Sequence, residues 1–106
     1  MKAGLLAALA LALSPAAGVA KTHVVVADSA SFKPKVLEVR AGDTVEWKNE
    51  DIFVHNVHAA DKSFGSKDLE PKRTFRWKAT RVGRHAYACT IHPMMTGTLI
   101  VLDRAR

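Results

Sequence analysis

Past an apolar opening stretch, the chain alternates polar and apolar residues in short runs. Residues 44–48 show it most cleanly, with Val45 and Trp47 on one side and Thr44, Glu46 and Lys48 on the other. That is the period of two expected of a half-buried strand. Residues 74–78 repeat it with Phe75 and Trp77 inward, and residues 85–89 place Tyr87 and Cys89 on one face. Leu37 and Val39 share a face within residues 35–40, residues 22–27 form a β-branched run bounded by Asp28-Ser29, and residues 98–102 close the domain. His55 to His58 lies in or beside another short strand. Ala41-Gly42-Asp43, Asn49-Glu50-Asp51 and Arg81-Val82-Gly83 read as turns, and residues 61–72 and 90–96 as loops. No stretch has helical periodicity. About seven or eight short strands at regular spacing predict an all-β antiparallel sandwich or barrel. The pattern leaves the strand order open.

The opening stretch belongs to a different class of segment. Met1-Lys2 precedes an apolar run over residues 3–13, Ser14-Pro15 breaks it, and Gly18-Val19-Ala20 supplies small residues for cleavage. This order predicts a secretory signal peptide over residues 1–20. The run is too short for a membrane helix of about 20 residues, so no stable membrane insertion is expected. Residues 21–106 then form one compact domain.

Charge and cysteine content narrow the chemistry. Sixteen Lys and Arg against ten Asp and Glu give a net charge of +6. Lys33, Lys35, Arg73, Arg76, Arg81 and Arg84 are scattered, which reads as solvated surface with some capacity to steer an acidic partner. Nucleic acid is not expected to meet an exported protein. The single cysteine, Cys89, matters more. In an oxidising compartment cysteines normally pair, so a lone one is buried and inert, joined to another chain, or held as a metal thiolate.

Cys89-Thr90-Ile91-His92-Pro93-Met94-Met95 puts thiolate, imidazole and thioether within seven residues, where a strand gives way to a loop. Thiolate and imidazole bind first-row transition metals, and thioether shifts the preference towards copper. Two His and one Cys with a long axial Met make a blue-copper electron-transfer site. His55, at the start of His55-Asn56-Val57-His58, is the best candidate for the second imidazole.

These residues resemble the cupredoxins, most of all amicyanin and the plastocyanin group. The likeness runs from Phe32 to Leu102 and includes Phe32-Lys33-Pro34, Val39-Arg40-Ala41-Gly42-Asp43-Thr44-Val45-Glu46-Trp47 and His55-Asn56-Val57-His58. The compact spacing of Cys89, His92 and Met95 is the amicyanin length. The resemblance implies a cupredoxin-like Greek-key β-sandwich with copper at one end. One ion, cycling between Cu(II) and Cu(I), would be held by His55, Cys89 and His92 with Met95 axial; Met94 is the rival methionine. Asn56 would tie the two ligand loops together near Thr90. Val54 and Ile91 stand where amicyanin-like proteins tend to carry proline, and His85 where a tyrosine often precedes the cysteine.

The function implied is that of a periplasmic, soluble single-electron carrier, not an enzyme. The expected partner is a redox protein with an acidic docking face, a cytochrome c or a dehydrogenase by resemblance, and the carrier is expected to be a monomer. Three other uses fit some of the residues: a periplasmic copper-handling protein with the same fold, a structural zinc site using His58 as a fourth ligand, and a metal-free interaction module. His55 and His58 would face opposite sides of an extended segment, which disfavours the zinc site. His23, His58 and His85 read as structural or surface residues, and Trp47, Phe75, Trp77 and Tyr87 as core.

Overall fold

A computed structural model of the chain describes residues 18–104. Most of the leader expected over residues 1–20 therefore lies outside the described residues. Eight strands run through the rest: β1 (Thr22–Asp28), β2 (Ser31–Lys33), β3 (Val36–Arg40), β4 (Thr44–Asn49), β5 (His58–Ala59), β6 (Thr74–Lys78), β7 (Gly83–Ala88) and β8 (Thr96–Leu102). They form two four-stranded sheets, ordered β2-β1-β4-β6 and β3-β8-β7-β5. This is the cupredoxin-type sandwich. The short β2 is the strand that alternation did not reveal. It follows a turn at Ser29 and Ala30, both at positive φ, and carries only one buried residue, Phe32.

The sheets are mixed, not purely antiparallel as the strand spacing suggested. β1 pairs with β4 in parallel, and β3 with β8 likewise. The reason is connectivity. β3 crosses to the second sheet after the β1–β2 hairpin, so β4 comes back beside β1 running the same way. A period of two fixes which face a residue takes, not the direction of its neighbour.

The inward faces meet around Trp47. Its ring stacks on Phe75 at 5.6 Å between centroids and meets Phe64 at 5.2 Å and Tyr87 edge-on at 5.5 Å. Val25, Val39, Val45, Leu99 and Val101 complete the core from β1, β3, β4 and β8. Phe75 and Trp77 pack against it but stay half-buried, because β6 is an edge strand. Losing a buried side chain of the Trp47 class costs about 3–5 kcal/mol.

β7 adds a buried histidine to this face. His85 bonds the Arg81 carbonyl through Nε2 at 2.7 Å and the Asp61 carboxylate through Nδ1 at 2.6 Å. It ties the residue 61–64 loop to the strand, a structural role of the kind expected for it. The hydrogen bonds from Ser63 and His85 hold the Asp61 carboxyl well below the usual carboxylate range.

The parallel pairs sort the chain into two ends. The loops after β4 and β7 share one end with the β1–β2 turn. The other end collects the start of β1, the turn from β3 to β4, and the chain after β8. Gly42 makes that turn at φ +99°, a region closed to most side chains. Asp43 beside it is buried at 2% exposure. Its burial would raise its pKa, but hydrogen bonds from His23, from the Lys21 and Arg40 amides and the charge of Arg104 outweigh that and lower it to about 2.

Two outcomes are expected. A Cβ at Gly97 would overlap Cζ and the hydroxyl oxygen of Tyr87, so Gly97→Ala should cost about 1–3 kcal/mol of overpacking in urea unfolding; an unchanged midpoint would contradict this close approach. The carboxylate of Asp43 has a lower pKa folded than unfolded, so its contribution is complete above about pH 4 and is lost as pH falls towards 2. Asp43→Asn should flatten the acid limb of the stability curve by about 2 kcal/mol, read by urea titration at a series of pH values.

Candidate metal centre

Three loops converge at the first end. β4 ends on Asn49, fully buried, whose Nδ2 donates to the carbonyls of Phe53 and Leu69 in the loops beyond at 2.8 and 2.9 Å. Its Oδ1 accepts the Asp51 amide at 2.9 Å. One amide side chain thereby sets the turn and aims Asp51 inward. The Asp51 carboxylate takes the Ala30 amide at 2.9 Å and the Ile52 amide at 2.8 Å. Its Oδ2 also lies 2.9 Å from Nε2 of His55.

That contact fixes the role of His55. A carboxylate only accepts, so Nε2 carries the hydrogen and donates it, leaving the Nδ1 lone pair for the site. The hydrogen bond from His55, joined by the Ala30 amide, lowers the Asp51 pKa to about 2. The His55 backbone is clamped as well, exchanging hydrogen bonds with Leu69 at 3.2 and 2.6 Å. His55 is 1% exposed.

The second loop follows β7. Cys89 is fully buried, and its amide donates to the Met95 carbonyl at 3.0 Å. The Met95 amide donates to the His92 carbonyl at 2.8 Å. These bonds fold residues 89–95 into a tight loop that turns His92 back over the cysteine. Sγ of Cys89 lies 3.8 Å from Nδ1 of His55 and 3.9 Å from Nδ1 of His92. The three ligand atoms all lie within 4.8 Å of one another. Two donors each about 2.0–2.3 Å from one ion are separated by nearly this much when trigonal, so the cluster fits a single metal ion. The Asn56 amide also donates to Sγ from 3.4 Å.

The two methionines separate by burial. Met94 is 94% exposed, whereas Met95 is 3% exposed and packs in the core cluster. Only Met95 is turned inward. His58 is exposed on β5 and stands outside the His55, Cys89 and His92 group, so the zinc set with His58 is not assembled. His23 lies at the opposite end, bonded to Asp43.

Asn56 joins the two loops. Its Nδ2 donates to Thr90 Oγ1 at 2.8 Å and to Asp68 Oδ1 at 3.0 Å, and its Oδ1 accepts the Thr90 amide at 2.8 Å. His92 is the half-buried member of the cluster. Around it Phe53, whose ring lies 6.3 Å from that of His92, and Ile91 and Met94, which line one pocket with His92, are exposed apolar side chains, as is Ile52 beside Phe53 in the chain. The sequence pattern places Asp51 in a turn and singles out neither Ile52 nor Phe53. An acid four residues before a candidate ligand was the available signal for Asp51. The exposure of Ile52 and Phe53 has none, because an apolar pair beside a turn looks like core.

The family model for the cupredoxin-like domain matches residues 2–101. Amicyanin-alpha of Methylorubrum extorquens is 34% identical over 101 residues, covering 91% of this chain and 84% of that protein. The Cu(I) form of an amicyanin variant is 28% identical with a TM-score of 0.70, over 76% of this chain and 81% of that one. A Cu-containing nitrite reductase of Thermus scotoductus is 33% identical over 76% of this chain with a TM-score of 0.71, and the match spans 22% of that longer chain.

Replacing the Asn56 side chain should loosen both loops. Asn56→Ala leaves the Thr90 amide without its partner, and should cost about 1–3 kcal/mol in urea unfolding. Metal affinity should fall about 10–100-fold in a competitive titration against a chelator. Wild-type affinity in a folded Asn56→Ala protein would show that the tie does not serve the site.

Proposed function

The chain belongs to the cupredoxin-like domain family, and on that premise we propose that it is an exported type 1 copper protein that carries single electrons. The observation that carries this reading is the convergence of the His55, Cys89 and His92 donor atoms on one buried point. His55, Cys89 and His92 are the equatorial ligands in this proposal, and Met95 the axial one. Bound copper supplies a one-electron Cu(II)/Cu(I) couple.

The protein's own residues do the rest. The hydrogen bonds to Asp51, Asn56, Leu69 and Met95 hold the donors in one arrangement, so little has to move when the electron arrives or leaves. The carboxylate of Asp51 keeps His55 in the right tautomer and makes it a better donor. With two imidazoles, a thiolate and a thioether engaged, no position is left for a substrate, unlike catalytic metal sites. A carrier therefore fits better than an enzyme, and the nitrite reductase likeness is confined to one domain-sized portion of that protein. The half-buried edge of His92, framed by Phe53, Ile91, Pro93 and Met94, is the proposed route for the electron and the face for a redox partner. Export through residues 1–20 and a periplasmic home complete the proposal.

Titrating purified residues 21–106 with Cu(II) tests it. An intense visible band with narrow copper hyperfine splitting in EPR, saturating at about one ion per chain, is the expected result. A colourless complex that prefers zinc would overturn the reading. Cys89→Ser should abolish the band. Met95→Leu should keep it and raise the reduction potential, because losing a thioether donor disfavours Cu(II); Met94→Leu should change neither. Rapid loss of copper to an acceptor protein would favour copper handling over electron transfer.

A further inference from the structure

The end of the sandwich away from His92 gathers a second set of converging groups. The buried Asp43 carboxylate receives four donors. Oδ1 takes the Lys21 backbone nitrogen at 3.0 Å and a guanidinium nitrogen of Arg104. Oδ2 takes Nε2 of His23 at 2.9 Å and the Arg40 amide at 3.1 Å. Lys21 is itself held from the other side, since its carbonyl accepts the Thr44 amide at 2.9 Å. The nitrogen of Lys21 is thus fixed against the carboxylate at the first residue before β1. Residues 18–20 ahead of it are exposed.

The sequence places its small-residue cleavage motif, Gly18-Val19-Ala20, directly before this residue. Cutting there would turn the Lys21 amide nitrogen into a primary ammonium and release Val19, whose carbonyl accepts from Arg104 at 3.1 Å. We propose that Asp43 is a receptor for the α-ammonium of Lys21, so that removal of the leader adds a second cation beside Arg104 on this buried carboxylate and locks β1 against β4. In the uncut chain a neutral amide makes the contact. The carboxylate makes the bond charge-assisted in both chains, and in the cut chain the donor is charged as well, which adds the Coulomb attraction of an ion pair. Arg104 and His23 share the carboxylate, while Glu38 lines the same cleft and adds a second negative charge. The proposal stands apart from the copper site at the other end of the molecule.

The test compares two chains in the same metal-loading state. One starts at Lys21, and the other keeps Gly18-Val19-Ala20 ahead of it; both contain every strand. The chain starting at Lys21 should melt about 3–8 °C higher, and the gap should vanish when both carry Asp43→Asn. Should the Asp43→Asn pair fail to fold, a Lys21-start chain acetylated at its α-nitrogen decides. It should drop to the Tm of the extended chain, with Asp43 intact. Equal Tm values for the first pair, a gap that survives Asp43→Asn, or an acetylated chain that keeps its advantage would each overturn the proposal. So would an exported protein whose intact mass places its first residue anywhere but Lys21.

Discussion

Everything at the metal-binding end depends on one side-chain amide reaching across a gap. Among the described residues no backbone hydrogen bond joins the loop carrying His55 to the loop carrying Cys89 and His92. Asn56 makes the connection, donating to one side of Thr90 and accepting from the other. It sits next to His55 in sequence, and Thr90 sits next to Cys89, so a shift at either ligand would be felt by the other. A primary amide suits the task because it offers donors and acceptor on one rigid plane. The distance between the sulfur and the His55 nitrogen follows from that tie, and the one to His92 from the fold of the Cys89–Met95 loop.

A second layer of polar contacts decides what those donors are like electronically. Asp51 presents a carboxylate to the far nitrogen of His55 in a dry part of the protein. A negative charge so placed stabilises the more highly charged state of an ion bound on the near side, and lowers its tendency to accept an electron. The donated hydrogens of the Ala30 and Ile52 amides spread that charge. In the proposed copper site the potential would be set by a balance among the thioether of Met95, the acid behind His55 and the apolar rim around His92.

The sequence made some of this legible and concealed the rest for definite reasons. Alternation found β4, β6 and β7 because each buries one face, as Val45 and Trp47 do. β2 escaped because three residues with one buried side chain make no period. The parallel pairings escaped because face and direction are independent. Cys89, His92 and Met95 stand within one short loop, so their chemistry could be read together. His55 had to be found thirty-four positions away, through its neighbour Asn56 and a family likeness. The choice between Met94 and Met95 rested on spacing, and burial separates them in space. Asp51 was hidden because an aspartate in a polar turn is commonplace, and its partner is chosen only when Asn49 bends the chain.

The complete burial of Cys89 has a consequence for the life of the protein before any ion arrives. Thiol–disulfide exchange needs a sulfur that another molecule can approach, and oxidation likewise follows exposure. A chain with its sulfur on the surface would be open to cross-linking and over-oxidation. Here the sulfur lies beneath the His92 loop, out of contact with solvent. The same packing that shapes the site also gives the unloaded protein a shelf life, a chemical patience that lets it wait for metal with its one reactive atom preserved.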